Sequence, residues 1–247
     1  MYERFAEVYD KFQEIDYRAF LDFYEQVFVR CGVHPELVLD LACGTGNITL
    51  AMAEEGYDMI GIDLSPQMLQ IAMDKARAKD LDILFLQQDM TDFELYGTVD
   101  AVICALDGVN YIGKPKKLQR MFHWVRNYLN PGGIMIFDMN SEYKLKHLLA
   151  DRSFVYEDED AYCVWNNEYD DEKKMALFDL NLFIREKDGR YTRFDEEQKE
   201  YAYAIDQLRE IAEKAGLKVE GVYGDLSFLP PEETAERIFF VLRKPAA

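Results

Sequence analysis

The chain has 247 residues, of which 49% are hydrophobic and 30% charged, and its formal net charge is −19 at pH 7. That length holds one large domain, or a domain with a sizeable insert, and a core that needs neither disulfides nor metal. The acidity argues against general DNA or RNA binding, because such a surface repels phosphate backbones.

Cys31, Cys43, Cys104 and Cys163 form no C-x-x-C pair, and His34, His123 and His147 are equally scattered. No metal site and no redox pair is therefore expected. Cys104, inside an apolar run, reads as a small core residue. The opening MYERFAEVYDKF carries no apolar export signal, and no stretch approaches a membrane span. The expectation is a cytoplasmic protein without membrane association.

From Phe20, apolar residues recur at Tyr24, Val27, Phe28 and Cys31, one face of a helix that Gly32 and Pro35 end. Leu37 to Leu41 is a short apolar strand interrupted by Asp40. Ile48, Ala51 and Met52 carry the next helical face, closed by Gly56. Met59 to Ile62 is a second buried strand, after which Ser65 caps a helix whose first position is Pro66. Ile83 to Leu86 and Val99 to Leu106 are the third and fourth strands. A helix from about Pro115 to Leu129 has its stripe at Leu118, Met121, Phe122 and Val125. Pro131, Gly132 and Gly133 then turn the chain into a fifth strand, Ile134 to Asp138. Near-continuous apolar strands alternating with helices predict an α/β fold: a doubly wound parallel sheet with ligands beyond the strands' carboxyl ends.

The pattern changes after Ser153. Ala176, Phe178, Leu180, Leu182 and Ile184 alternate with more polar neighbours, KDGR at Lys187 to Arg190 is a hairpin turn, and Tyr201, Tyr203 and Ile205 alternate again. Residues 153–205 read as a mostly antiparallel β insert with one wet face, set into a main domain of residues 1–152 and 206–247. Helical spacing returns at Leu208, Ile211, Ala212 and Ala215, with Gly216 as its cap. Two strands follow, near Leu217 to Tyr223 and Arg237 to Leu242.

The chemistry-bearing stretch is VLDLACGTGNIT, Val38 to Thr49. Gly44 and Gly46 lie between the first strand and its helix, where glycine permits unusual dihedrals and close backbone approach. Asp63 ends the second strand, at the distance from the loop where an acid receives a ribose hydroxyl pair. Strand, glycine turn, helix, strand and acid form a nucleoside-binding signal. A dinucleotide site needs glycine or alanine at the third loop position, but Gly44-x-Gly46-x-x-Thr49 has threonine there. That argues against an NAD-dependent oxidoreductase.

LDLACGTGNIT resembles the first motif of class I S-adenosylmethionine (SAM)-dependent methyltransferases, and GIDLSPQML, QQDM and NPGGIMIFDMN fall in that family's order. The later section resembles small bacterial methyltransferases with an antiparallel insert before the last helix and hairpin. The resemblance implies a Rossmann-like seven-stranded sheet whose last strand is antiparallel. It implies that backbone from Asp40 through Ala42, Gly44 and Gly46 passes the methionine part of SAM, and that Asp63 binds the ribose. Leu64 and Met68 would flank the adenine, Asp89 would meet its amino group, and the Met90 backbone would lie beside the ring. Leu106 would lie near the methionine moiety, and Tyr9 would close over the cofactor. Residue by residue, Met68 reads equally well as helix core and Tyr9 as simple packing, and a helix or turn cap is the lesser alternative for Asp89. Cys43 has no histidine placed to activate it and is not read as a nucleophile.

A sulfonium methyl is already electrophilic, so positioning the acceptor supplies much of the rate. Asp107, Asn110 and Tyr111, in ALDGVNYI after the fourth strand, are the candidate acceptor-facing residues, Asp107 first among them, although Asp107 equally fits a loop acid making a backbone turn. The insert is rich in Tyr and Phe and acidic, with EDED at Glu157 to Asp160 and FDEEQKE at Phe194 to Glu200. It reads as a lid that admits a small, cationic molecule, as a homodimer surface, or as a solvated face over an ordinary apolar underside. The reading is a SAM-dependent methyltransferase with a small-molecule acceptor. Methylation of RNA or protein, and a non-catalytic SAM-binding regulator, are the alternatives besides the oxidoreductase.

Overall fold

The structure, a computed structural model, describes residues 6–12 and 15–246; residues 1–5 of the opening segment lie outside the described residues. In chain order, α1 (Ala6–Tyr9) and a 3-10 turn (Asp10–Phe12) precede α2 (Tyr17–Cys31), β1 (Leu37–Leu41), α3 (Asn47–Glu54), β2 (Asp58–Asp63), α4 (Pro66–Ala78), β3 (Leu84–Gln87) and β4 (Val99–Cys104). A 3-10 turn (Gly108–Tyr111), α5 (Pro115–Tyr128), β5 (Leu129–Asn140) and a π-helical turn (Lys144–Leu149) follow. Next come β6 (Ser153–Asp158), β7 (Ala161–Asp170), β8 (Met175–Arg185) and β9 (Tyr191–Tyr201), then α6 (Ile205–Lys214), β10 (Lys218–Gly224) and β11 (Arg237–Arg243).

Seven strands form one sheet in the order β10-β11-β5-β4-β1-β2-β3. Only β11 runs antiparallel to its neighbours, pairing β10 on one side and β5 on the other. Strand alternation sorts the core into two layers. Val38, Ile103, Ile136 and Phe239 face α2 and α3, whereas Leu39, Val102, Phe137 and Phe240 face α5 and α6. Local signals set the helix ends: the Ser65 hydroxyl accepts from Met68 N–H at 3.3 Å with Pro66 behind it, and Gly32 closes α2 at φ 64°.

Two local expectations are corrected. β5 begins at Leu129, not Ile134, because Leu129 pairs with Val99 while the Pro131–Gly133 turn is absorbed as an irregularity before Ala101 meets Ile134. The alternation at Tyr201, Tyr203 and Ile205 does not extend a strand: β9 ends at Tyr201 and Ile205 opens α6. The inward phase of β9 is the even one, with Gln198 and Glu200 buried and Glu197 and Lys199 exposed.

The sheet order reverses between β1 and β4, which pair in parallel. A crevice opens beyond the carboxyl ends of strands at such a switch. β6 to β9 form a separate antiparallel four-stranded sheet, and its β8 buries Ala176, Phe178, Leu180 and Leu182 along one face.

Candidate active site

The loop after β1 packs its glycines for two different reasons. At Gly44, φ is 56° and an added Cβ meets nothing within 4 Å, so the left-handed backbone alone demands glycine. At Gly46, φ is 79° and a Cβ would lie 2.7 Å from Leu50 Cδ1 and 2.9 Å from Ala72 Cβ. The side chain missing at Gly46 therefore makes room for Leu50 of α3 and Ala72 of α4, besides allowing the left-handed backbone. Thr49 explains the third position: its hydroxyl donates to Asp40 Oδ2 at 2.6 Å, tying α3 to β1.

Asp40 is 1% exposed, and its Oδ1 has no hydrogen-bond partner among the described residues. Burial, with the charge of Asp63 adding to it against the Thr49 hydrogen bond, pushes the Asp40 carboxyl up to about 7. Asp63 accepts from Gly44 N–H at 2.9 Å and from Ser65 N–H at 2.8 Å, and burial raises its carboxyl above the usual range. It is thus half-buried and shapes the glycine loop as well as facing the crevice. Cys43 lies beside both acids, and burial, with Asp40 and Asp63 adding, pushes its thiol far up. That leaves little thiolate for nucleophilic chemistry.

One cavity beyond β1, β2 and β4 is lined by Tyr9, Asp40, Ala42, Gly44, Asp63, Leu64, Met68, Asp89, Met90, Leu106, Asp107 and Tyr111. Of the residues singled out in the sequence for the donor or the acceptor, Gly46 and Asn110 do not line it. Met68 is both core and wall, being 3% exposed. Leu64 is 63% exposed, unusual for a leucine and in keeping with a wall left open to a ligand. Asp89 Oδ1 accepts from Thr91 N–H at 2.8 Å, so this acid does cap its own turn while facing the cavity.

A second cavity shares Tyr9, Leu106, Asp107 and Tyr111 with the first. Its walls include Phe20, Trp165 and Phe178, with Gln198 and Glu200 from β9. The shared corner is held in an unusual backbone: Leu106 and Asp107 both sit at positive φ, 56° and 59°. Asp138, 0% exposed, accepts both of their N–H groups at 2.8 and 3.0 Å. Arg237 from β11 donates to Asp107 Oδ1 from both terminal nitrogens, at 3.1 and 3.0 Å, and pairs with Asp138 as well. Burial raises the Asp107 carboxyl and Arg237 opposes that shift.

The N-terminal segment crosses this region. Asp10 accepts from the Thr45 hydroxyl at 2.7 Å and the Asn47 amide at 2.9 Å, and pairs with Lys75. On the other side Lys11 pairs with Asp158 of β6, and the Phe12 ring lies 5.8 Å from Tyr156. Sequence reasoning missed Asp10, Asp138, Glu200 and Arg237. Asp10 lies one residue after Tyr9, and the even phase of β9 was the available signal for Glu200.

This crevice, with its acid-ended second strand and glycine loop, defines a nucleoside-binding α/β protein. Residues 38–133 match the family described as a methyltransferase domain. The Geobacillus sp. (strain WCH70) methyltransferase-family protein GWCH70_2453 is 34% identical over 98% of this chain and 99% of its own. A SAM-dependent methyltransferase of known structure from Clostridium acetobutylicum ATCC 824 is 32% identical, with a TM-score of 0.88 over 99% of both chains. The SAM-bound structure of CalS10 from Micromonospora echinaspora shares the fold at 19% identity, with a TM-score of 0.73 over 99% of this chain and 98% of that one. The chain belongs to the class I SAM-dependent methyltransferase family, and its methyl donor is SAM.

Among the described residues, no helix is long and apolar enough to cross a membrane.

Proposed function

We propose that the protein methylates a small molecule held in the second cavity, with SAM in the first. The observation that carries this reading is the wall common to the two cavities, Tyr9, Leu106, Asp107 and Tyr111. A donor and an acceptor on either side of one wall meet at it. CalS10 is an amino pentose methyltransferase and KedS8, also of this fold, a sugar N-methyltransferase, which favours the same class of acceptor.

In this reading Asp63 receives the ribose hydroxyls, and Asp89 the adenine amino group beside Leu64, Met68 and Met90. The backbone from Asp40 to Gly44 follows the methionine portion. The fit rests on the unpartnered Oδ1 of Asp40, a buried acceptor on the cavity wall that suits an ammonium group. SAM supplies an electrophilic methyl on sulfur; the chain aligns the acceptor behind it and excludes water. Tyr9 and the N-terminal segment close over the donor. The β6–β9 sheet covers the acceptor, and its buried face with Trp165 and Phe178 supplies the lid.

Transfer from methyl-labelled SAM to a metabolite pool, an RNA pool and a protein pool tests the reading. Label entering metabolites is the expected result; label confined to RNA or protein contradicts it, and none in any pool favours a SAM sensor.

Two further outcomes are expected. Because the carboxylate form of Asp40 binds the cation, SAM affinity should rise about tenfold per pH unit below 7 and level off above it. Asp40→Asn should abolish the slope in calorimetric titrations. The stability of the empty protein has the opposite sign. The folded carboxyl titrates at about 7 against 3.8 for the free group, so the contribution of Asp40 declines as pH rises through that window. Asp10→Ala should release the N-terminal segment from Thr45, Asn47 and Lys75 and weaken SAM binding about tenfold, with faster dissociation in stopped-flow traces.

A further inference from the structure

The buried face of β9 places polar groups in the acceptor cavity that the protein does not itself satisfy. Gln198 and Glu200 are 5% and 3% exposed and lie on the same face of the strand. Gln198 Oε1 accepts from the Tyr111 hydroxyl at 3.2 Å, but its Nε2 has no partner among the described residues. Asn140, 5% exposed, donates to Glu200 Oε2 at 2.8 Å, and its own Oδ1 is likewise unpartnered. Asn110 fixes this arrangement by donating to the carbonyls of Asn140 and Tyr201 at 3.1 Å each. All three orienting side chains, Gln198, Glu200 and Asn140, line the second cavity.

Buried polar atoms left unpaired are costly and rare in native proteins. A free donor at Gln198 and a free acceptor at Asn140, both residues on the wall of one cavity, match a hydroxyl, which supplies one of each. The charges decide the rest. Arg237 is already held by Asp107 and Asp138, so it offers no free guanidinium to an anionic ligand. Glu200 keeps Oε1 outside its bond to Asn140, and Asp16 adds a second acid against the single Lys144. Aromatic walls from Phe20, Trp165 and Phe178 complete a pocket suited to a cation.

We propose that Glu200 binds and deprotonates the amino group of a hydroxylated amine, whose hydroxyl lies between Gln198 Nε2 and Asn140 Oδ1. The inference rests on the small-molecule reading above and names the acceptor's chemistry. The ammonium arrives protonated and gives one proton to the Glu200 carboxylate. The freed lone pair forms the new C–N bond as the methyl–sulfur bond breaks and its electron pair returns to sulfur. Burial, together with the charge of Asp107, holds the Glu200 carboxyl well above the usual carboxylate range, which brings it closer to the basicity this transfer needs.

The test uses a bacterial metabolite extract divided by cation exchange at neutral pH before enzyme and labelled SAM are added. Label is expected in the retained, amine-containing fraction, on a nitrogen by mass spectrometry. With that acceptor, Glu200→Gln should lower kcat/KM about 100-fold or more while S-adenosylhomocysteine affinity stays within about twofold. Glu200→Asp should recover part of the loss. Should Glu200→Gln fail to fold, Gln198→Met serves: it should raise KM for the hydroxylated amine more than for its deoxy counterpart. Calorimetry with S-adenosylhomocysteine bound should show the amine binding and its loss in the Glu200 variant. Label in the unretained fraction, or full activity after Glu200→Gln, overturns this inference alone. Label in neither fraction, with transfer to RNA or protein, overturns the small-molecule reading with it.

Discussion

Arg237→Leu should destabilise the protein by about 3–5 kcal/mol at neutral pH, read as a lowered urea midpoint. Asp138 is wholly buried and Arg237 is its counter-charge, so the substitution leaves Asp138 and Asp107 facing one another unneutralised. Asp138 also holds the corner at Leu106 and Asp107 by accepting both N–H groups, where positive φ must be maintained against its local cost. Losing a third or more of an ordinary domain's stability is the expected scale. The effect has a pH signature. Asp107 is already pushed upward by burial and loses the guanidinium that opposes this, so it takes up a proton more readily in the variant. A folded pKa above the unfolded one means stability regained as pH falls, so the deficit should shrink on acidification. A deficit independent of pH would assign the loss to packing alone. Arg237→Lys keeps the charge and should lose less.

Asp63→Ala should weaken SAM binding about 100-fold. Two charge-assisted hydrogen bonds to ribose hydroxyls, at about 1.5 kcal/mol each, amount to about 3 kcal/mol, or two decades in affinity. Because Asp63 also accepts from Gly44 and Ser65 N–H, the variant should lose about 1–3 kcal/mol of stability as well. Asp63→Asn keeps one carbonyl oxygen for the loop and should fall between wild type and Asp63→Ala in both measurements. Unchanged affinity in calorimetry would remove Asp63 from the donor site.

The first cavity of this molecule is legible in its sequence because its parts are local. Asp40, the glycine loop and Asp63 lie within one strand–helix–strand unit, and the glycines and Asp63 carry a backbone reason for their residue type. The parallel sheet was equally legible, since strands buried on both faces leave unbroken apolar runs. The second cavity was not. Arg237 meets Asp107 across 130 positions and Asn140 meets Glu200 across 60, and no periodicity announces such pairs. From composition FDEEQKE leaves a lid, a dimer surface and a solvated face open, whereas alternation on β9 buries Gln198 and Glu200 and exposes Asp195, Glu197 and Lys199. Gly46 shows a related limit: a glycine demanded by helix packing looks the same in sequence as one demanded by a ligand.

The most direct test of the account is a crystal structure with S-adenosylhomocysteine. The account predicts adenosine against Asp63 and Asp89, with the sulfur turned toward the wall of Tyr9, Leu106, Asp107 and Tyr111. A sulfur facing away from that wall, or a nicotinamide dinucleotide in its place, would contradict it.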